Sequence, residues 1–344
     1  MSIKVVGIDL AKSFFQVCIW NQDGSIAWNH KITRNKLLHT IRQLPEKTLI
    51  AMEACGTAHH WARQFKMLGY EVTLIPAQHV KPLVGNQKND ANDALAICEA
   101  AFRPGIHPVP VKSIEQQDIK ALRCVRSRLV EQRTATANQI RSLSAEYGVI
   151  FPAGIRKLKQ QLPACLEDAD NGLSFVLRRL LQGLYDDIVL LNRDIEYLTE
   201  EIANLCKVQP RYKALLSIPG FGPIVAAAFM SEVGTGEQFH NGRQLSAWCG
   251  LVPKQASSGG KQSLGKITKN GNSELRMMLI HGARAVGRFC NKRQDALGDW
   301  FNSLVKRRGK AKAIVALANK LARIGWRILV GNDDFKLSLA FRSA

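Results

Sequence analysis

Lys4-Val5-Val6-Gly7-Ile8-Asp9-Leu10-Ala11-Lys12 is the stretch from which the fold is read. It is a short apolar run of strand-forming residues that ends on a carboxylate, Asp9. A second such run, Leu49-Ile50-Ala51-Met52, ends on Glu53. A third cluster, Asn89-Asp90-Ala91-Asn92-Asp93-Ala94, opens a helical segment, and Asp90 and Asp93, three apart, share a helix face. Two acids at strand ends and two on one helix face make a site for divalent cations. Hard cations such as Mg²⁺ take oxygen ligands, and binding one relieves the repulsion among clustered carboxylates. Paired metals can steady both the attacking and the leaving oxygen in a phosphate displacement.

Around this stretch the pattern predicts three strands, Ile3 to Leu10, Phe14 to Trp20 and Ser25 to Ile32, with an Asp23-Gly24 hairpin turn before the third. A helix from Asn35 to Leu44, a strand from Leu49 to Glu53, a helix from Ala58 to Leu68 and a strand from Glu71 to Ile75 follow. A helix from Asp90 to Phe102 stops at Arg103-Pro104-Gly105. Three antiparallel-type strands followed by alternating helices and strands predict an α/β architecture with a mixed sheet. Parallel strands of such a sheet open their carboxyl ends on one crevice, so Asp9 and Glu53 are expected there together. His59 and His60 do not extend the site, because helix neighbours point about 100° apart and do not converge on one ion.

Ser113 to Tyr147 reads as one long helix with a basic face that includes Lys120, Arg123, Arg126, Arg128, Arg133 and Arg141. That face is either solvated or tracks phosphates. Phe151 to Asn171, with Pro152, Gly154 and Pro163, reads as irregular and marks a boundary. Then Leu181, Leu184, Ile188, Leu191, Ile195, Leu198, Ile202 and Leu205 alternate spacings of three and four, a heptad seam that predicts a coiled coil. Its acidic flank, Asp187, Asp194 and Glu201, faces no basic e positions, since these are Tyr185, Asn192 and Thr199. A parallel self-pair therefore gains no ion pairs. A basic helix such as 113–147 is the alternative partner, from the same chain or another.

Beyond Pro210, Leu215 to Val225 reads as helix, glycine-rich turn and helix around Gly220 and Gly222. Amides at the start of the second helix suit a phosphate oxygen, as in a helix-hairpin-helix contact with DNA; a tight αα turn has the same pattern. A loop dense in turn residues follows, with Lys254, Ser257-Ser258-Gly259-Gly260-Lys261, Lys266 and Lys269, and then helices from Ser273 and from Lys310.

Composition points the same way. The 344 residues carry 48 Lys and Arg against 28 Asp and Glu, a net +20. Such a surplus favours a polyanion, nucleic acid before membrane. Between Lys254 and Arg327 there are 17 basic residues against three acids (Glu274, Asp295 and Asp299), a net +14. The triplet Lys306, Arg307 and Arg308 belongs to this excess. Eight scattered cysteines without a C-x-x-C pair predict buried thiols in a reducing compartment. The first residues lack a secretory pattern, and the longest apolar runs are too short to span a bilayer. A soluble, cytosolic protein without a membrane partner is expected.

Taken in order, Gly7-x-Asp9, Glu53-Ala54-x-Gly56, Asp90-x-x-Asp93-Ala94, Ile218-Pro219-Gly220-x-Gly222, and Pro253 to Gly259 followed by Lys269-x-Gly271-Asn272 resemble the DEDD transposases of bacterial insertion sequences, a family of bridge-RNA-guided serine recombinases related to Piv-type DNA invertases. The resemblance spans about residues 1–330. It implies a RuvC-like α/β domain of ribonuclease H type with the long basic helix (1–150), a linker and coiled-coil arm (151–207), and a mainly α-helical transposase domain with a serine nucleophile (208–344). By motif, the catalytic and metal-binding acids are Asp9, Glu53, Asp90 and Asp93, the cation is Mg²⁺ or Mn²⁺, and the nucleophile is Ser258, the serine directly before the glycine; Ser257 is chemically identical. Nucleic-acid contacts are expected at Gly220, Gly222, Lys254, Lys261, Lys266, Lys269, Lys306, Arg307 and Arg308. DNA, a bridge-type RNA and a homo-oligomer from dimer to tetramer, with acids of one subunit meeting the serine of another, complete the implied assembly. Two alternatives use fewer of these features: a RuvC-like structure-specific endonuclease with water as nucleophile, and a non-catalytic nucleic-acid-binding protein. A sugar-kinase-like ATPase shares only the opening Gly7-Ile8-Asp9-Leu10 and lacks a second phosphate loop.

Overall fold

A strand whose two faces are both apolar must lie between two layers, and β1 (Ile3–Leu10) does so. Its companions are β2 (Phe14–Asn21), β3 (Ile26–Thr33), β4 (Leu49–Glu53) and β5 (Glu71–Ile75). They form a mixed sheet in the order β3-β2-β1-β4-β5, antiparallel on the β2 and β3 side and parallel on the β4 and β5 side. The computed structural model describes residues 2–85, 89–257, 263–331 and 334–341. The chain divides into two units, Met1–Ser113 and Ile114–Ala344.

In the first unit the alternation of side chains along each strand assigns the layers. Val6, Ile8, Phe15, Val17, Ile50, Met52 and Leu74 share a core with Leu37 and Ile41 of α1 (Leu37–Ile41) and with Trp61, Ala62 and Phe65 of α2 (Ala58–Met67). Val5, Cys18, Ala51 and Ile75 face the other way. They pack with Val80, at the end of α3 (Ala77–Val80), and with Ala94, Ile97 and Cys98 of α4 (Asp90–Ala100). By the same parity Gly7 and Asp9 of β1 lie on the α4 face. Each aliphatic side chain buried in these layers contributes about 1.5–3 kcal/mol.

The second unit is mostly helical. α5 (Ile114–Ala145), α6 (Ile155–Glu167) and α7 (Phe175–Lys207) pack together, with Ala137, Ile140, Leu158, Leu162, Leu177, Leu181 and Ile188 in one core. The segment read as irregular thus contains a helix. Leu158 and Leu162 lie one turn apart on its buried face, and this periodicity outweighs Pro163, which costs the helix one backbone hydrogen bond. α5, expected with the N-terminal domain, is in the second unit. It lies along the heptad seam of α7, in which Leu181, Ile188, Leu191, Ile195 and Ile202 are buried. The polar e positions now have partners: Arg126 Nε donates to Thr199 Oγ1 at 2.6 Å, and an Arg133 guanidinium NH donates to Asn192 Oδ1 at 2.6 Å.

The rest of this unit comprises α8 (Tyr212–Leu216), α9 (Pro223–Val233), α10 (Gly242–Trp248), a two-stranded ribbon of β6 (Pro253–Gln255) and β7 (Leu264–Ile267), α11 (Ser273–Gly287), α12 (Ala296–Arg308), α13 (Lys310–Val330) and α14 (Leu337–Ala340). The sequence pattern predicts no strand at β6 or β7 and no separate α12. α9 is buried from Ala226 to Val233, a helix apolar nearly all round at the centre of the unit. Glu232 on it is buried too, and is met by buried Arg123 of α5 at 3.5 Å. The same guanidinium donates to Ser231 Oγ at 2.7 Å and pairs with Glu274 of α11. Asn272 caps α11 with its oxygen and donates its amide to Glu232 at 3.1 Å. Among the described residues no helix is long and apolar enough to cross a membrane.

This packing makes two stability predictions. Ile188→Ala should cost about 2–5 kcal/mol by emptying space between α7 and its neighbours α5 and α6, read as a lower denaturation midpoint at unchanged mass in light scattering. A changed mass with an unchanged midpoint would mean that the seam serves another copy. Arg123→Ala, which leaves buried Glu232 with Lys120 at 3.5 Å but without its guanidinium and also unpairs Glu274, should cost about 3 kcal/mol, the lower end for breaking a buried pair. Arg123→Ala combined with Glu232→Ala should recover part of that stability, and an unshifted midpoint in Arg123→Ala would refute the role of this network.

Candidate metal and catalytic site

Parallel register brings the two strand-end acids to one level. Gly7 of β1 pairs with Ala51 of β4 and Ile8 with Met52, so Asp9 and Glu53 are the next residues on adjacent strands. Both side chains are half-buried, and both line a cleft of about 750 Å³ with Asp90 and Asp93. The helix acids reach it because α4 starts there: Asn89 Oδ1 accepts from the Asn92 amide at 2.8 Å and caps the helix. Asp90 and Asp93 occupy the first turn, where the helix dipole favours negative charge.

What sets α4 at this height is Gly7. A Cβ at Gly7 would stand 2.5 Å from the Ala94 carbonyl oxygen and 2.5 Å from Cys98 Sγ, so the helix backbone rests directly on the strand. Polar contacts hold the other side of the first turn. Asn29 of β3 donates to the Ala91 carbonyl at 3.1 Å and accepts from Gln16 of β2 at 2.7 Å. Gln16 pairs with Asp9 across β1 and β2, and Lys31 pairs with Gln16 across β2 and β3.

The outcome is a trio: carboxylate oxygens of Asp9, Asp90 and Asp93 all lie within 4.8 Å of one another. Such a separation fits a divalent cation held by oxygen ligands, and without one the negative charges repel. Glu53 shares the cleft but stands outside that trio. The negative field is felt at Cys55, whose thiol is pushed up by burial and further by the charges of Glu53 and Asp9. A thiol held protonated in this way is a poor nucleophile.

Lys31 carries no signal in the sequence that would single it out. Its Nζ stands 2.8 Å from Asp90 Oδ2, with both side chains more than half exposed. Only strand pairing reveals it, because 59 residues separate the two in the chain. His59 and His60 do diverge: His59 Nδ1 accepts from the Lys112 amide at 3.2 Å, while His60 packs on Trp61.

The other expected residues belong to the second unit. Ser257 is exposed, and its Oγ accepts from Gln255 Nε2 at 3.0 Å at the mouth of the β6–β7 ribbon. Ser258 and Lys261 lie outside the described residues. Lys254, Lys266 and Lys269 are exposed on or beside the ribbon, and Lys306, Arg307 and Arg308 are exposed at the carboxyl end of α12. Gly222 is exposed at the start of α9. Gly220 has a packing reason of its own: at φ +92° a Cβ there would stand 2.9 Å from the Gly282 carbonyl oxygen of α11.

A mixed five-stranded sheet of this order, with acids at the carboxyl ends of its central strands and on a covering helix, is compatible with the RuvC-like domain of a DEDD transposase. Comparison with known proteins agrees. Residues 6–148 match a transposase model of the DEDD type found in IS110 elements, and residues 212–297 match the model described as "Transposase IS116/IS110/IS902 family". The chain is 42% identical over 336 residues to the transposase for insertion sequence element IS1111A of Coxiella burnetii, covering 97% of this chain and 92% of that one. It is 44% identical over 330 residues to a Pseudomonas aeruginosa protein named "Probable family 20 transposase", covering 96% and 97%. It is 35% identical over 334 residues to the transposase for IS1328 of Yersinia enterocolitica, covering 97% and 99%. The chain belongs to the IS110/IS116/IS902 family of insertion-sequence transposases, enzymes of DNA transposition.

The Gly7 contact makes a prediction for the site. Gly7→Ala should force α4 away from β1 and part Asp93 from Asp9, lowering Mn²⁺ affinity in a relaxation titration. A Gly7→Ala protein that binds Mn²⁺ like the wild type would show that the close approach does not set the site.

Proposed function

We propose that this transposase cuts and rejoins DNA with Ser258 as nucleophile, assisted by Mg²⁺ or Mn²⁺ at Asp9, Glu53, Asp90 and Asp93. The observation that carries the reading is the convergence of Asp9, Asp90 and Asp93. Glu53, in the same cleft, is the fourth acid of the set. When bound, the cation neutralises charge on the phosphate and favours the pentacoordinate transition state. The carboxylates' own part is to fix its position, with the first turn of α4 pinned by Asn29 and Gly7.

In the serine step the Ser258 Oγ–P bond forms as the bond from phosphorus to one deoxyribose oxygen breaks. The hydroxyl proton goes to solvent or a base, and the released oxygen takes up a proton. Attack of a second strand's free hydroxyl on the phosphoserine reverses the step and restores Ser258. Support comes from the order of the family motifs and from the setting of the loop: exposed Lys254, Lys266 and Lys269 flank it and suit phosphate oxygens. Gly259 and Gly260 remove Cβ obstruction to a DNA backbone.

The family resemblance extends the proposal to a bridge-type RNA that chooses targets by pairing, to kinship with Piv-type invertases, and to a dimer or tetramer in which one subunit's acids meet another's serine. It also keeps 1–150, 151–207 and 208–344 as functional divisions, with Gly220, Gly222, Lys261, Lys306, Arg307 and Arg308 among the nucleic-acid contacts and the bacterial cytoplasm as the place of action.

Asp9→Ala and Asp93→Ala should each reduce strand cleavage by about 10²–10³-fold or more while DNA binding persists. Ser258→Ala should abolish recombination with metal affinity intact, and an adduct trapped from wild type should map to the peptide containing Ser258. Mapping to Ser257 would move the nucleophile by one residue. Recombination by both Ser258→Ala and Ser257→Ala would replace the serine mechanism with a water-using nuclease.

A further inference from the structure

A cluster of cations outside all the residues considered so far lies where α10 meets α13. The two helices touch almost backbone to backbone, since a Cβ at Gly242 would stand 2.9 Å from Arg323 Cα. This approach places Arg243, the next residue of α10, beside Arg323. The two arginines, Arg327 and Trp326 line a cleft of about 340 Å³. Trp326 is a fixed wall, because its indole NH donates to the Gly236 carbonyl at 2.9 Å. A second cleft, about 370 Å³, shares Arg323 and Arg327 and adds Lys320.

Lys320, Arg323 and Arg327 are spaced three and four apart and so form one face of α13. Arg243, Arg323 and Lys320 form no ion pair with a carboxylate among the described residues, and Asp334 is the one acid lining either cleft among them. In the same unit buried Arg123 pairs with two glutamates, so the lack of carboxylates here is local. Lys320 stands 4.7 Å from the Trp300 ring and 4.6 Å from the Phe341 ring, and its ammonium is pushed down by burial and by the charge of Arg323. Arg243, Arg323 and Lys320, held near one another without an ion pair among the described residues, raise the energy of the free protein, and a polyanion lowers it. For a DNA transposase the polyanion at hand is DNA.

We propose that the α10–α13 cleft is a DNA-backbone site, distinct from the lysine-bearing ribbon, in which Arg243 and Arg323 hold phosphates of duplex DNA. It deepens the DNA-handling reading above and rests on it, but not on the serine step. Guanidinium groups grip phosphate oxygens through paired NH donors, and contacts of this kind set position rather than sequence.

The test uses the full chain and a duplex oligonucleotide of arbitrary sequence, with binding followed by fluorescence anisotropy across a salt series. The variant Arg243→Glu/Arg323→Glu should bind at least about tenfold more weakly at low salt. Its slope of log affinity against log salt should be shallower by about 2, because each of the two arginines no longer displaces counterions from a phosphate. Arg243→Lys/Arg323→Lys should keep most of the slope, which separates a charge effect from a folding defect. Arg179→Glu/Arg193→Glu, at two exposed positions of α7, makes the same change of net charge and should alter the slope little. An equal weakening in that control would overturn the proposal, leaving only a net-charge effect. Unchanged duplex binding with abolished binding of single-stranded RNA would also overturn it and assign the cleft to RNA. Because binding is read without cleavage, the salt slope tests the cleft whether or not the serine mechanism holds.

Discussion

The first unit depends on one close contact, the seat of α4 on β1 at Gly7. An ordinary side chain there would collide with the helix backbone and with Cys98. With only hydrogen on the strand, Ala94 and Cys98 come down onto the sheet, and the first turn of α4 ends level with the carboxyl end of β1. That height decides the chemistry, because a carboxylate trio spanning 4.8 Å can share one cation and a trio spread a few ångströms wider cannot. The apolar residues of the two layers supply most of the energy, while the glycine supplies the geometry. The pairing of Gln16 with Asn29, and of Asn29 with the helix carbonyl, then resists rotation of α4 about that contact.

The second unit solves a different problem, that of holding a long basic helix with few acids to spare. α5 buries its apolar stripe on α7 and directs its arginines to neutral acceptors, Thr199 and Asn192, rather than to the acidic flank of the seam. It meets carboxylates where Lys120 and Arg123 reach Glu232 and Arg123 reaches Glu274. Burying a guanidinium and a glutamate together is costly unless each is also hydrogen-bonded. Ser231 and Asn272 supply those bonds. Other cations of this unit, on the ribbon, at the end of α12 and in the α10–α13 cleft, remain at the surface and raise the local potential.

The amino-acid sequence by itself determined the sheet and its acids. β4 and β5 begin and end at the residues that their short apolar runs mark out, and the Asp23-Gly24 hairpin joins its strands. These features are local, since an apolar run and the turn chemistry beside it are written within about ten residues of one another. The length of α5 and the seam of α7 are legible for the same reason. The helix at Ile155–Glu167 was hidden because a proline and a nearby glycine are local signals against helix, while the packing of Leu158 and Leu162 on α7 that overrides them is not local. The ribbon of β6 and β7 was hidden too: its strands are three and four residues long and exposed, and carry no burial pattern.

Only tertiary structure decided which acids meet. Asp9, Asp90 and Asp93 converge because parallel register, side-chain parity and the Gly7 contact act together, and none of these can be read from the residues one at a time. The same holds for the partner of the heptad seam. A seam of leucine and isoleucine is equally satisfied by any apolar stripe, and chain connectivity, not the seam itself, presents α5 to it. It holds as well for Lys31 and for Arg243, Arg323 and Arg327, which are ordinary basic residues in the sequence. A charge acquires a role from what stands within a few ångströms of it, and for residues far apart in the chain that distance is set by the fold.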